Sequence, residues 1–309
     1  MPTTRTTRLL AALAAVLLLL LAACGDGDDG GDAADVLDAE DAVQLPEYDV
    51  GAVPGLTGTP KELADAGRVT VGVKADQPNL GYLDPETNQY SGFDVEIALM
   101  IAADLGIAAD DVAFTQIPSK NRETALRNGE VDYYVGTYTI NEERKEQVSF
   151  AGPYFVAGQD LLVRAGEDEI RGPEDLAGRN VCSVTGSTPI ERIKTDYPEA
   201  RTTEFDVYSK CVDALLDGEV DAVTTDDAIL AGYAADELDE LEVVGEPFSE
   251  EPYGVGVAKG DTELQDFVAG ALERHQENGD YERAYAATIG RSGVPMPDVP
   301  EITEGDPAG

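Results

Sequence analysis

Ala125-Leu126-Arg127-Asn128-Gly129-Glu130-Val131-Asp132 and Ala214-Leu215-Leu216-Asp217-Gly218-Glu219-Val220-Asp221 share one pattern, A-L-x-x-G-E-V-D. Each copy reads as a helix stopped by a glycine that can turn left-handed, with a strand directly after it. Working outward from the first copy, residues 67–73 and 112–117 read as strands. Residues 95–105 carry apolar side chains at helical spacing and stop at Gly106. Around the second copy, residues 178–184 and 203–207 read as strands, and Gly186-Ser187-Thr188-Pro189 opens a helix. Strands alternating with helices build parallel sheets with helices packed outside. The doubled order predicts two α/β domains of similar topology. Coincidence is the alternative, since helix–glycine–strand junctions are common, but matched positions in both halves weigh against it.

The chain has 309 residues, about two domains' worth, and 42% of them are hydrophobic, enough to build packed cores. It carries 62 acidic against 21 basic residues, a formal net charge of −41. Such acidity excludes nucleic acid as a partner and docking on anionic lipid through a basic patch. One histidine and three cysteines leave little for a zinc site, so no metal and no cofactor are expected.

Arg5 and Arg8 precede an uncharged run over residues 9–23, shorter than the roughly 20 residues that span a bilayer. A basic start, an apolar stretch and small residues at its end make residues 1–23 a secretory signal. Leu21-Ala22-Ala23-Cys24 resembles a bacterial lipobox, which implies cleavage before Cys24 and lipid on its sulfur; an ordinary signal with a chance cysteine is the alternative. Removal of the signal takes away two arginines and no acid. The Gly/Asp-rich stretch that follows reads as a solvated tether over residues 24–60. Cys182 and Cys211 then remain, an even pair in an oxidising compartment. A disulfide is expected, worth about 3 kcal/mol by loop closure, with two buried thiols as the alternative.

Two α/β domains leave a cleft, and ligands bind where strand carboxyl ends meet helix N-termini. Lys74, Gly136, Thr137, Thr139, Ser187, Thr188 and Asp226 all follow or end predicted strands. Ser187-Thr188-Pro189 has capping hydroxyls and proline at the first helical position, an end that suits a carboxylate or is simply a structural cap. Residues 139–144 read as another capped helix that turns Arg144 back toward the strand end. A guanidinium there grips a carboxylate with two parallel bonds, or pairs with Glu142 or Glu143 at the surface. Asp226 can hold an ammonium, and Lys74 and Arg122 are cations at loop ends of a very acidic chain. The G-x-S-x-G, H-E-x-x-H and P-loop patterns are absent. His275, in a polar helical stretch, reads as a surface residue rather than a general base.

These stretches resemble the solute-binding proteins of bacterial ABC importers for polar amino acids, and among them the actinobacterial glutamate-binding lipoproteins. The residues that carry the likeness are Val71-Gly72-Val73-Lys74, Gly92-Phe93-Asp94-Val95, Asn121-Arg122-Glu123-Thr124, Thr139-Ile140-Asn141-Glu142-Glu143-Arg144, Phe150-Ala151-Gly152-Pro153-Tyr154-Phe155, Val181-Cys182-Ser183-Val184-Thr185-Gly186-Ser187-Thr188-Pro189, Thr224-Thr225-Asp226-Asp227 and Ser249-Glu250-Glu251-Pro252-Tyr253-Gly254. They cover residues 67–293. The resemblance implies a two-lobed clamp of the periplasmic-binding-protein type II class, its ligand cleft lying between two α/β domains joined by two hinge segments. The crossings are expected near residues 157–159 and 251–254. Lobe 1 is then residues 61–157 and 252–293, lobe 2 residues 158–251, and residues 294–309 a loose tail.

The resemblance also implies roles. Arg144 binds the ligand α-carboxylate, helped by Thr139 and by Thr188 on the opposite lobe. Asp226 binds the α-ammonium, and Gly136 and Thr137 supply contacts at the strand end. Family members often place an Asp and an aromatic residue after the first strand, where this chain has Lys74 and Gln77. That exchange of acid for base fits an acidic ligand side chain, held by Lys74 and, if it is more than a surface residue, by Arg122. The expected protein is thus a monomer, lipid-anchored at the outer face of the cytoplasmic membrane, that delivers glutamate or aspartate to a membrane permease. An enzyme on the same scaffold and a ligand-sensing module for a receptor stay open as alternatives.

Overall fold

The computed structural model describes residues 45–237 and 239–306. The signal over residues 1–23, the lipidation site Cys24 and the tether as far as residue 44 lie outside the described residues.

The body is built on two five-stranded sheets. The first runs, edge to edge, Val112–Gln116, Val69–Val73, Tyr133–Tyr134, Glu251–Ala258 and Val148–Ala157. The second runs Arg201–Phe205, Asn180–Val184, Ala222–Asp226, Gln159–Arg164 and Leu241–Val244. In each, three parallel strands come first and the remaining neighbours are antiparallel. The spatial order is the same in both: second strand, first strand, third strand.

The sequence repeat has a physical cause in this shared order. Gly129 and Gly218 sit at φ +66° and +74° and end their helices. Glu130 and Glu219 donate backbone N–H groups back to the carbonyls of Ala125 and Ala214, both at 2.9 Å, which closes each helix end. The aspartates at the end of the motif then clip the neighbouring strand. Asp132 accepts the N–H of Thr70 at 2.7 Å, and Asp221 that of Asn180 at 2.6 Å. Alanine, glycine and aspartate therefore recur because each performs one step of the same helix-to-strand turn.

Apolar helices complete each lobe. Phe93–Asp104 packs on the first sheet with almost every residue buried, as does one face of Thr262–Glu277. In the second lobe, Cys182 on the interior strand Asn180–Val184 is joined by a disulfide to Cys211 on the helix Tyr208–Leu216, and both are fully buried. The chain crosses between lobes at Gly158, where Val148–Ala157 gives way to Gln159–Arg164, and again over residues 245–250. The second crossing precedes residues 251–254, because Glu251 already pairs with Ala157 in the first sheet.

Four local expectations change. Residues 45–57, read as tether, pack on lobe 1. Tyr48 donates to Glu96 at 2.7 Å, and the N–H groups of Gly51 and Val53 reach the carbonyls of Ala103 and Asp104, satisfying the end of the helix Phe93–Asp104. Residues 58–60 open the helix Gly58–Ala66. The closing segment, read as loose, is held through Asp306: the carbonyl of Gly152 accepts from the N–H groups of Thr303 and Glu304, and Lys145 pairs with Glu304 at 2.8 Å. His275, read as exposed, is buried with Nδ1 2.5 Å from Asp280, because its helix face packs inward and a carboxylate there compensates the imidazole. Asn141, not Thr139, caps the helix Glu142–Lys145.

Candidate functional site

Lys74 directly follows the strand Val69–Val73, so its side chain leaves the carboxyl end of the first sheet. It is buried, and its Nζ donates to Ser119 Oγ at 2.6 Å. Burial, and next the nearby Arg122, push the Lys74 ammonium down to about 7. Arg122 begins the helix Arg122–Asn128 and is buried rather than on the surface, with Nε on the Ser119 carbonyl at 2.9 Å. Its guanidinium lies 4.2 Å over the Tyr138 ring.

Arg144 is aimed by its helix cap. Asn141 Oδ1 accepts the Arg144 N–H at 2.9 Å, and the guanidinium donates to the Thr139 carbonyl at 2.7 Å. It stacks 5.2 Å from the same Tyr138 ring, and burial, followed by repulsion from Arg122, brings it down to about 10. Glu123 is the local counter-charge, 3.8 Å from Arg144 Nε and accepting from the Tyr138 hydroxyl.

Between these cations runs the loop of Gly136, Thr137 and Thr139. A side chain at Gly136 would start 2.5 Å from the Tyr134 hydroxyl, so only glycine fits. Thr137 sits at φ +45°, a costly conformation for a β-branched residue. Asp94 holds it there: Oδ2 accepts the Thr137 N–H at 2.9 Å, and Oδ1 accepts from Tyr154 at 2.7 Å. The Thr137 hydroxyl pairs with the Gln77 amide.

The second lobe supplies the other wall. Ser187 caps the helix Thr188–Asp196, accepting from the Ile190 N–H, and Thr188 Oγ1 lies 3.4 Å from Thr139 Oγ1 across the cleft. Asp226 ends the strand Ala222–Asp226 and is 3% exposed. Its Oδ2 accepts the Tyr253 hydroxyl at 2.6 Å, while Oδ1 has no hydrogen-bond partner among the described residues. Burial, and next the charge of Glu251, push Asp226 up to about 8. The lobes touch directly here, with Arg122 and Arg144 both donating to the Gly186 carbonyl, at 3.1 and 3.3 Å.

Arg122, Thr137, Thr139, Arg144, Ser187, Thr188 and Asp226 therefore line one small cavity. Lys74 and Gly136 do not line it: Lys74 donates to the lining residue Ser119 from behind, and Gly136 precedes the lining residue Thr137. Ser119 and Tyr208 also line the cavity and escaped sequence reading. Ser119 carries no signal beyond preceding Arg122, and Tyr208 reads only as a core position of its helix. The arrangement places two guanidiniums on one wall, with the Lys74 amine behind them, and a half-satisfied buried carboxylate on the other. Guanidiniums facing a carboxylate can hold an anionic group on one side and a cationic group on the other.

Two lobes on two crossings, closing on a polar cleft, define a two-lobed binding protein of the periplasmic type 2 fold. The chain belongs to the bacterial extracellular solute-binding proteins, family 3, whose model matches residues 69–290. It is 44% identical over 251 residues to the glutamate-binding protein GluB of Corynebacterium efficiens, covering 78% of this chain and 83% of that one. The ABC transporter glutamine-binding protein GlnH of Bacillus subtilis is 39% identical over 228 residues, 74% of this chain and 83% of its own. Among solved structures, an ancestral arginine-binding protein bound to glutamine superposes with a TM-score of 0.68 at 37% identity, covering 72% of this chain and 98% of that one.

Proposed function

We propose that this protein is the capture component of an ABC importer for an acidic amino acid, glutamate before aspartate. The observation that supports the reading is the opposition of Arg122 and Arg144 to Asp226, whose Oδ1 is unpaired among the described residues, within one cavity, with the Lys74 amine directly behind the lining residue Ser119. Arg144 and the N-terminal amides of the helix Thr188–Asp196 take the α-carboxylate. Asp226 takes the α-ammonium; Gly136, Thr137 and, departing from the carboxylate role the resemblance gives it, Thr139 complete that corner. Lys74, supported by Arg122, takes the side-chain carboxylate. The names of the relatives point to glutamate and to glutamine, and a lysine at position 74 favours the charged ligand of the two.

Arg144 and Asp226 belong to different lobes, so a ligand that needs both is bound fully only when the lobes shut, and it stabilises the closed form by that difference. The closed form is what a membrane permease then receives. Lipid on Cys24 keeps the protein, as a monomer, at the outer face of the membrane. Calorimetric titration of the protein with glutamate, aspartate, glutamine and arginine tests the reading. Micromolar or tighter glutamate binding that is lost in Arg144→Ala, and weakened for glutamate but not glutamine in Lys74→Met, is the expected result. Binding of none of these amino acids would sink it.

A further inference from the structure

Glu251 lies where the two crossings run side by side, paired with Ala157 at the start of its strand, and it is 1% exposed. It does not line the ligand cavity. Its carboxylate nevertheless gathers three donors: Thr188 Oγ1 reaches Oε2 at 2.8 Å, and Arg192 and Ser249 Oγ each reach Oε1 at 2.8 Å. Two of the three belong to the helix whose first residue faces the cleft.

Thr188 has a single hydroxyl proton. Given to Glu251, it is not available to the cleft, and Thr188 Oγ1 faces the cavity as an acceptor. Thr139 Oγ1, 3.4 Å away, must then be the donor of that pair. The proton direction is thus set from the hinge, running from Thr139 to Thr188 to Glu251. The Thr188 hydroxyl then offers only lone pairs to a bound molecule, while the backbone amides of its helix end remain donors, and it stands in the cavity that Asp226 also lines. Lone pairs gathered there favour N–H donors and disfavour a second carboxylate oxygen.

Resting on the function proposed above, we propose that Glu251 is a positioning residue for capture: by taking the Thr188 proton it turns the Thr139–Thr188 pair toward the ligand's ammonium, and so sets the discrimination between amino acids and simple dicarboxylates. Arg192 holds the Glu251 carboxylate in place from the same helix, so Thr188 and its acceptor move together as lobe 2 closes.

The test is titration of the whole mature protein, and of Glu251→Gln and Glu251→Asp, with L-glutamate and with glutarate, which lacks only the ammonium. Near pH 9, Glu251→Gln is expected to weaken glutamate roughly tenfold or more while changing glutarate less than twofold. Glu251→Asp, which retains a carboxylate, recovers part of the loss. Arg192→Met, which removes the partner that holds the Glu251 carboxylate, gives a smaller loss of the same kind and serves if Glu251→Gln does not fold. A second readout is the acid limb of glutamate binding. Asp226 is faced by Glu251, Asp227, Tyr253 and Arg144. Removing the Glu251 charge therefore moves that limb to lower pH, a shift that mere loosening of the hinge does not produce. Equal losses for glutamate and glutarate, or an unmoved affinity and limb, overturn the inference. If the unaltered protein binds no glutamate at all, the proposed function itself falls and takes this inference with it.

Discussion

The Asp76 carboxylate, on lobe 1, accepts the backbone N–H of Tyr208, the first residue of a lobe 2 helix, at 2.7 Å. The next N–H, that of Ser209, reaches the same oxygen at 3.1 Å. The helix has no cap of its own, because Val207 at its N-cap position offers no side-chain acceptor. Closure therefore supplies a cap, a link about 1–2 kcal/mol strong that opening breaks. Asp76→Ala is expected to weaken every amino-acid ligand by the same factor, roughly five- to thirtyfold. The ratio of glutamate to aspartate affinity stays unchanged, since Asp76 acts on closure rather than on the ligand. Calorimetry with both ligands measures this, and a changed ratio would count against it.

The buried ionisable groups of the site give unliganded stability a specific pH dependence. Asp226 titrates at about 8 and Asp94 at about 6 in the folded protein, against 3.8 for an ordinary aspartate. Between those values the folded state holds protons that the unfolded chain has lost, so stability falls as pH rises through that window. Lys74 acts oppositely: about 7 folded against 10.5 ordinarily, so its contribution grows as pH rises from 7 to 10.5. Thermal unfolding without ligand should show a midpoint that drops between pH 5 and pH 7. Asp226→Asn should flatten much of that slope, and an unchanged slope would remove Asp226 as its source.

Ligand capture has its own profile. On the proposed roles, glutamate needs Asp226 charged for its ammonium and Lys74 charged for its side chain, so affinity should peak between the two titrations and fall on both sides. Glutamine needs Asp226 alone, so it should keep the acid limb and lack the fall on the alkaline side above about pH 8. A basic limb shared by both ligands, measured by calorimetry from pH 5 to pH 9, would take Lys74 out of the side-chain pocket.

The fold was legible because its turns are chemically specific: Gly129 and Gly218 need left-handed backbone, and Asp132 and Asp221 clip a neighbouring strand, so the motif had to appear twice. Asp226 was legible as a candidate from its place at a strand end, Thr139 from the loop after a strand, and Arg144 from the capped helix that turns it back. What sequence does not carry is which carboxylate of an acidic chain faces inward. Glu251 and Glu250 are adjacent and identical, and only the pleat of the strand puts Glu251 behind Thr188. His275 and Asp280 were illegible for a similar reason, since each justifies the other's burial only once two helices pack.

The Cys182–Cys211 bridge closes a loop of sequence separation 29 within lobe 2 and ties the interior strand Asn180–Val184 to the helix that Asp76 caps. Loop closure of that size contributes about 3 kcal/mol. Reduction, or the double substitution Cys182→Ala/Cys211→Ala, should lower the unfolding midpoint by several degrees. Differential scanning calorimetry with and without reductant is the check, and equal midpoints would show that the bridge carries no stability.

The C-terminal segment tests whether a stretch composed like a loose tail can act as a strap. Ile302 packs on the lobe 1 core, Tyr285 donates to the Val294 and Pro295 carbonyls, and the residues around Glu304 bond to Gly152 while Lys145 holds the Glu304 side chain. Lys145 is the residue after Arg144, so the strap braces the short helix that aims the carboxylate-binding guanidinium. Ending the chain after Gly293 removes an apolar contact, several hydrogen bonds and this ion pair, and should cost about 2–4 kcal/mol of stability. Affinity for glutamate should fall by less, roughly two- to fivefold, because Asn141 still caps the helix and orients Arg144. Lys145→Ala separates the two effects: it cuts the tie between strap and helix but leaves Ile302 and the Gly152 bonds in place. It should therefore reproduce the affinity change with little loss of melting temperature. A truncated chain that melts like the full one would return the segment to the status of a tail.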